Sequence, residues 1–203
     1  MMQAFRALEA DVRVVAIVDP RAEEIRQEIA ADPYFERVSF YDTAASMLAS
    51  ASLDGVFIGT RCSLHTPLAI QVLNSGLPLF LEKPVCISPE QYERLAAAAK
   101  GRESRVLVSF PLRLTAVAQA MKRVVDAGTL GRITMVQAIN NVPYGSVYYH
   151  SWYRDANETG GLFLQKMTHD IDYIHYLIGE VPVDAFARTA KLYFRGDRPA
   201  GLH

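Results

Sequence analysis

Short apolar runs alternate with helical segments along the first half of this 203-residue chain. The runs are rich in β-branched residues, and a helix signal follows most of them within a few positions. They lie at residues 12–18, 38–41, 53–59, 77–81 and 106–110. Strands that are joined through helices pair in parallel, so this alternation predicts an α/β fold with a doubly wound, Rossmann-like sheet.

The run at residues 77–81 ends in Glu82-Lys83-Pro84, which places two charged side chains where a buried strand leaves the sheet. Open α/β sheets bind their ligands at this edge. A lysine beside such a cleft is partly desolvated, which lowers its pKa and suits it to proton transfer. The alternative is a surface turn in which Glu82 and Lys83 are simply solvated.

Asp19 follows the first apolar run and is the candidate for the acidic residue that binds the adenosine ribose of a dinucleotide. The alternative is that Asp19 caps the helix expected over residues 21–31, and the two roles can coexist. Arg21 could instead lie near a 2′-phosphate, so the choice between NAD and NADP stays open.

Thr60 and His65 lie where the run at residues 53–59 passes into a helix that begins near Thr66-Pro67. Free backbone N–H groups and the helix dipole favour an anionic or carbonyl-bearing ligand at such a helix start. Thr60 and His65 are therefore candidates for the cofactor cleft. Simple capping of the helix by Ser63, His65 or Thr66 is the alternative.

The pattern changes after residue 111, which divides the chain into a first domain, residues 1–111, and a second α+β domain, residues 112–203. Thr134–Ile139 alternates like a strand with one covered face, and Val183–Phe194 is also strand-like. An aromatic loop over residues 140–159 contains Trp152 and Arg154. Rings beside a guanidinium suit sugar binding, although the loop could equally pack on its own domain.

A helix is expected from Gly160-Gly161 to Ile178, with Gln165, His169 and Asp172 together on one face. A histidine among polar neighbours can act as an acid or base near neutral pH. The alternative is the solvated side of an amphipathic helix. His169 and His175 are six positions apart and point to different faces, so no metal site is expected.

Composition narrows the classes of partner. The formal net charge is −1 and the basic residues are scattered, which disfavours nucleic acid. No apolar run is long enough to cross a bilayer, so no membrane partner is expected. The two cysteines form neither a metal-type pair nor a disulfide framework, which favours a cytoplasmic location.

At the start of the chain, the pattern of residues 2–10 predicts the end of a helix.

Taken together and in this order, these motifs resemble those of the glucose-fructose oxidoreductase and inositol dehydrogenase (Gfo/Idh/MocA) family. The resemblance covers nearly the whole length of the chain. The matches are residues 15–20, residues 60–65, Glu82-Lys83-Pro84, residues 130–133, Gly160-Gly161 and residues 169–172. The resemblance implies that Lys83 contacts both cofactor and substrate, and that His169 helps to move the hydroxyl proton during hydride transfer. It also implies that Trp152, Arg154 and Arg113 border the substrate pocket.

The chain departs from the family pattern in three places. Gln165, followed by Lys166, stands where many members have an aspartate, and a glutamine cannot take up a proton. Acid–base work would then fall to Lys83, His169 or Lys166. No strand and glycine-rich loop precede Val12, and the chain stops at His203 where the family continues through further strands.

These departures lead us to expect a fragment of an NAD(P)-dependent oxidoreductase that acts on a sugar-like secondary alcohol. Without its first strand, the sheet would lack the neighbour shared by strands two and four. NAD or NADP binding would be compromised by the absent loop. We expect a homo-oligomer for the full-length form. The alternatives are a non-catalytic sugar- or nucleotide-sensing regulator and an NAD-assisted glycosidase.

Overall fold

The computed structural model describes residue 7, residues 12–142, residue 148 and residues 151–190. The predicted N-terminal helix therefore lies almost wholly outside the described residues. The strands are β1 (Ala16–Ile17), β2 (Ser39–Phe40), β3 (Val56–Ile58), β4 (Leu79–Leu81) and β5 (Val106–Val108). The α-helices are α1 (Ala22–Ile29), α2 (Ala44–Ser50), α3 (His65–Ser75), α4 (Pro89–Ala99), α5 (Ala116–Asp126), α6 (Ala156–Thr159) and α7 (Leu162–Ile178).

The strands form two separate parallel sheets, with the orders β1-β2 and β3-β4-β5. In the first, Ala16 pairs with Ser39. In the second, Val56 pairs with Leu79, and Leu79 pairs with Val106. Helices lie between consecutive strands, which confirms the predicted parallel α/β, Rossmann-like fold.

The break between the two sheets falls between β1 and β3, the strands that the sequence predicts to flank a missing first strand. The residues of the first apolar run are accordingly only half-buried instead of enclosed on both faces. Phe57 of β3 is 46% exposed and stacks on Phe80 of the neighbouring strand. The described residues place no strand between β1 and β3.

Two apolar cores correspond to the two sheets. The larger one packs α3 against β3 and β4; its members are Ile58, Ala69, Val72, Leu73, Leu79 and Leu81. The smaller one, below β1 and β2, contains Ile25, Ile29 and Phe35. The larger core fixes the positions at which β3 and β4 end, and therefore the positions of Thr60 and Lys83.

The prediction of a strand at Thr134–Ile139 is wrong, because this segment pairs with no other strand among the described residues. Met135 and Ile139 are 84% and 76% exposed, so no partner covers the alternating face. The described part of the other predicted strand, residues 183–190, is also without sheet pairing. A strand needs neighbouring strands to satisfy its backbone groups, and the described residues supply none here.

No described helix is both long and apolar enough to span a bilayer.

Candidate active site at the strand ends

His65 ties together the ends of β3 and β4. Its ring is 1% exposed, with Nδ1 2.7 Å from the carbonyl oxygen of Pro84 and Nε2 3.1 Å from that of Thr60. Thr66 adds a hydrogen bond from its hydroxyl to the carbonyl of Val85. Both ring nitrogens of His65 therefore contact backbone oxygens. The structure gives this side chain a structural position beneath the cleft, so its predicted cofactor role would have to be indirect.

Lys83 lies immediately beyond β4 and points to helix α7. Its ammonium donates to the carbonyl oxygen of Gln165 at 3.0 Å and to the side-chain amide oxygen of the same residue at 3.1 Å. Burial lowers the pKa of Lys83 from its ordinary value, and the positive charge of Lys166 lowers it further. The alternative of a simply solvated turn is therefore wrong for Lys83. The peptide bond between Lys83 and Pro84 is cis.

The polar face of α7 points inward, toward the strand ends. Gln165 and Asp172 are 2% and 9% exposed, whereas Met167 and Ile171 of the apolar stripe are each 40% exposed. The interpretation of this polar face as a solvated helix side is therefore wrong. The side-chain amide of Gln165 also donates to Sγ of Cys62, so one buried residue joins Lys83 to the segment that follows β3.

The start of α7 requires glycine. Gly160 has φ +70°, and a Cβ atom built on it would lie 2.5 Å from a methyl group of Leu164 and 3.1 Å from the carbonyl oxygen of Ile87. Only a residue without a side chain lets the chain turn this close to the segment after β4. This turn positions Gln165 against Lys83.

His169 lies one turn beyond Gln165 on α7, with its ring edge-on to that of Phe110 at a centroid distance of 6.0 Å. Its Nδ1 is buried and has no hydrogen-bond partner among the described residues. Burial lowers the pKa of His169, and the charges of Lys83 and Lys166 lower it further, against the opposing effect of Asp170 and Asp172. The ring is therefore held neutral near pH 7, and its Nδ1 is shielded from solvent.

Arg113 and Asp172 form a two-pronged ion pair. Nε of Arg113 donates to Oδ2 at 2.8 Å, and Nη2 donates to Oδ1. The hydrogen bond to Asp172 raises the pKa of Arg113. The predicted substrate-binding roles of both residues remain predictions, since each is engaged by the other.

Glu158 holds the aromatic segment, residues 151–159, against the residues that follow β3. Its carboxylate accepts hydrogen bonds from the Ser63 hydroxyl and from Nη1 of Arg61, the latter at 3.3 Å. The guanidinium of Arg61 also lies 5.6 Å from the ring centroid of Trp152. The aromatic segment is therefore fixed beside the strand ends; Arg154 is exposed.

Sequence reasoning missed the roles of Cys62, Ser63 and Glu158. Cys62 has no predicted role beyond membership of the 60–65 match, and nothing singles out Glu158. Their contacts join residues 95 or more positions apart. Such long-range pairs leave no local signal in a single sequence.

The candidate cofactor residues fall in two groups. Asp19 and Arg21 follow β1, where Oδ1 of Asp19 accepts a hydrogen bond from the Arg21 amide at 2.8 Å. Thr60 is exposed and Glu82 half-buried, at the ends of β3 and β4. No described group of three or more histidine, cysteine or acidic residues could hold a metal ion.

Parallel sheets with helices between their strands, and a lysine held against a helix beyond the strand ends, define a Rossmann-type α/β protein. The model of the oxidoreductase family with an NAD-binding Rossmann fold matches residues 1–110, and that of the GFO/IDH/MocA C-terminal domain matches residues 118–199. The chain belongs to the GFO/IDH/MocA oxidoreductase family.

Similar proteins include the inositol 2-dehydrogenase of Rhizobium meliloti, 27% identical over 95% of this chain and 55% of that protein. Another is the scyllo-inositol 2-dehydrogenase (NAD(+)) of Bacillus subtilis, 28% identical over 82% and 46% of the two chains. The crystal structure of a myo-inositol dehydrogenase from Corynebacterium glutamicum superimposes with a TM-score of 0.65 at 20% identity, over 85% of this chain and 50% of that one. The chain spans about half the length of these relatives.

Proposed function

We propose that the full-length protein is an NAD(P)-dependent oxidoreductase that transfers hydride between a nicotinamide cofactor and a secondary alcohol of a sugar, inositol or derivative. The observation that carries this proposal is the pair of hydrogen bonds from Lys83 to Gln165 beyond β4, one helical turn before His169, whose pKa the charge of Lys83 lowers. A cationic donor and a neutral imidazole in one partly desolvated cleft suit the movement of a hydroxyl proton.

The residues present fit the adenosine and nicotinamide ends of a dinucleotide. The carboxylate of Asp19 is one-third exposed beside β1 and could accept hydrogen bonds from ribose hydroxyls, and Arg21 adjoins it. Thr60, Glu82 and Lys83 would border the nicotinamide side. When bound, the nicotinamide ring supplies the hydride acceptor for alcohol oxidation.

His169 is the proton acceptor in this proposal. The neutral imidazole can take the hydroxyl proton while the carbinol carbon gives up its hydrogen as hydride, so the alcohol becomes a carbonyl compound. Lys83 donates a hydrogen bond to the same oxygen and stabilises the negative charge that develops on it. Gln165 holds the ammonium in place but cannot take up a proton.

The substrate residues proposed for the outer part of the cleft are Trp152, Arg154, Arg113, Gln165, Lys166 and Asp172. The proposed role is best supported for Trp152, because Arg61 packs against its ring beside the strand ends. Homo-oligomer formation by the full-length protein stays a prediction.

Cofactor affinity gives a first test. The break between β1 and β3 lies where the first strand and its dinucleotide loop would be expected, and residues 1–54 contain no glycine. We propose that the 203-residue chain binds NAD(H) weakly and that a form extended at its N-terminus by a strand and a glycine loop binds far better. Nanomolar to low-micromolar affinity of the chain alone, by titration calorimetry, would refute this.

Turnover gives the decisive test. The full-length protein would be incubated with NAD or NADP and a panel of inositols and sugars, and absorbance at 340 nm would be followed. Net formation of the reduced cofactor supports the oxidoreductase. A regulator would give neither reduced cofactor nor product, and an NAD-assisted glycosidase would release sugar from glycosides without net reduction.

A further inference from the structure

Gln165 occupies two of the three N–H donors of the Lys83 ammonium. The main-chain oxygen of Gln165 accepts at 3.0 Å and its side-chain amide oxygen accepts at 3.1 Å. Among the described residues, the ammonium has no other hydrogen-bond acceptor. One N–H is therefore left for a ligand. Because the three N–H bonds diverge from one nitrogen at fixed angles, the two oxygens of Gln165 set the direction of the third.

The two oxygens of Gln165 are held in different ways. The main-chain oxygen belongs to α7, so the helix fixes its position. The side-chain oxygen depends on how the amide group is turned, and the oxygen and NH₂ ends of an amide are nearly equal in size. A half-turn would place the NH₂ group, which only donates, against an ammonium that also only donates. The orientation of the amide therefore decides whether Lys83 has its second acceptor.

Cys62 supplies the partner for the other end of this amide. The NH₂ group of Gln165 donates to Sγ of Cys62, and the two side chains are 2% and 4% exposed. A buried NH₂ group without an acceptor costs about 1 to 3 kcal/mol, so without the sulfur the side chain would turn toward another partner. The contact with Cys62 therefore keeps the amide oxygen on Lys83.

The position of the sulfur does not depend on Gln165. Cys62 begins the short turn Cys62–Leu64 that follows β3. The next residue, Ser63, is fixed twice: its hydroxyl donates to Glu158, and its carbonyl oxygen accepts from the side-chain amide of Gln91 at 3.4 Å. The backbone of this turn therefore places Sγ, and Gln165 is oriented by it.

We propose, on the basis of the proposed oxidoreductase function, that Cys62 is a positioning residue for Lys83. Its sulfur holds the Gln165 amide in the orientation that keeps the amide oxygen on the ammonium. The remaining N–H of Lys83 is thereby directed at the alcohol oxygen of the substrate. Neither the thiol nor the amide exchanges a proton in this role, so Cys62 acts on the reaction only through Gln165 and Lys83.

Steady-state kinetics of the full-length protein test this role. Cys62→Val replaces the sulfur by an apolar group, and we expect kcat to fall about 10-fold, the value of one hydrogen bond. The KM of the alcohol should change by less than about 2-fold, since Lys83 acts on the charge that develops in the transition state. Cys62→Ser keeps an acceptor and should stay within about 3-fold of the unsubstituted kcat. Cys86→Val, the same change at a half-buried cysteine, should leave kcat unaltered.

A double substitution separates positioning from damage to the fold. In Gln165→Leu the ammonium has already lost the amide oxygen, so adding Cys62→Val should lower kcat by less than about 2-fold further. A structural defect would lower kcat by the same factor in both backgrounds. Thermal unfolding checks that each variant folds, and Cys62→Ala replaces Cys62→Val if the latter does not. An unchanged kcat, equal factors in both backgrounds, or no rescue by Cys62→Ser would overturn the inference.

If the unsubstituted protein reduces no cofactor with any compound, the proposed function fails, and chemical labelling decides the positioning role. Trace acetylation with acetic anhydride would be read at Lys83 by peptide mass spectrometry. Labelling should be several-fold faster in Cys62→Val, because an ammonium that loses an acceptor deprotonates more readily. Cys62→Ser and Cys86→Val should be labelled at the unsubstituted rate. Equal or slower labelling of Lys83 in Cys62→Val would overturn the inference.

Discussion

The ammonium of Lys83 donates to both the main-chain and side-chain oxygens of Gln165, a residue 82 positions further along the chain. This contact joins the end of β4 to the inward face of α7. It also explains how a cation is kept in a partly buried place without an acidic partner: two neutral oxygens accept its hydrogen bonds while Lys166 repels it. Gln165 therefore holds the ammonium of Lys83 in place, while burial and Lys166 lower its pKa.

Replacing Gln165 by glutamate should raise the pKa of Lys83. A carboxylate at the position of the amide oxygen, 3.1 Å from Nζ, favours the charged form of the lysine. In the full-length enzyme, the basic limb of the pH profile that reports Lys83 deprotonation should move to higher pH. The matched change Gln71→Glu on the exposed face of α3 should leave this limb in place. An unmoved limb in Gln165→Glu would contradict the assignment.

His169 should determine the acidic limb of activity. Its pKa is lowered from the ordinary value of 6.5, chiefly by burial. The ring therefore stays neutral and can accept a proton until the pH falls to this lowered pKa. The acidic limb of kcat/KM should therefore lie below pH 6.5 and should disappear in the residual activity of His169→Gln. His175→Gln, on the same helix, is the control and should keep the limb. A limb at or above pH 6.5 would contradict the lowered pKa of this imidazole.

The same shift predicts a pH effect on stability. Below pH 6.5 the unfolded chain takes up a proton on residue 169 more readily than the folded protein does, so folding stability falls as the pH falls through this window. Below the lowered folded pKa the contribution levels off. Urea unfolding at several pH values should show a weaker acid loss for His169→Gln than for the unsubstituted protein; identical losses would contradict the burial of this ring.

Removing Asp172 should cost more stability than removing a surface acid. Asp172→Ala leaves Arg113 without its two-pronged partner, and we expect a loss of about 1 to 3 kcal/mol in the free energy of unfolding. Asp126→Ala breaks the exposed pair with Lys122 and should cost about 0 to 1 kcal/mol. Urea unfolding measures both, and equal losses would argue against a structural role for the Arg113–Asp172 pair.

Glu158→Ala should loosen the aromatic segment. The substitution removes the acceptor of hydrogen bonds from Ser63 and Arg61. Without these bonds the segment should open locally more often, so its amides should exchange roughly 10- to 100-fold faster. Hydrogen exchange should accelerate over residues 151–160, with Glu180→Ala as an exposed control. Unchanged exchange at these amides would show that other contacts hold the segment.

Sequence reasoning found the architecture because its signals are local. The β-branched runs and the helix caps, such as Ser88 accepting from the Gln91 amide at 3.2 Å, depend on neighbouring residues. It also anticipated the break between β1 and β3, since this follows from strand order. The strand at Thr134–Ile139 was wrong because pairing depends on a partner, which is absent from the described residues.

The candidate site was only partly predictable. Lys83 and His169 were proposed through motif and resemblance, but periodicity left open a solvated side for Gln165 and Asp172. Which face of α7 is buried depends on contacts with Cys62 and Arg113, which are 103 and 59 positions away. Those contacts exist only once the chain has folded.

The rate of nicotinamide reduction by Lys83→Ala in the full-length protein tests the central claim most directly. Absorbance at 340 nm, followed with the best substrate of the panel, should show a loss of kcat/KM on the order of 10²- to 10³-fold, the usual cost of removing a donor that stabilises a developing negative charge. Lys100→Ala, at the exposed end of α4, should react at the unsubstituted rate. An unchanged rate for Lys83→Ala would contradict the claim that cofactor and substrate meet at this lysine.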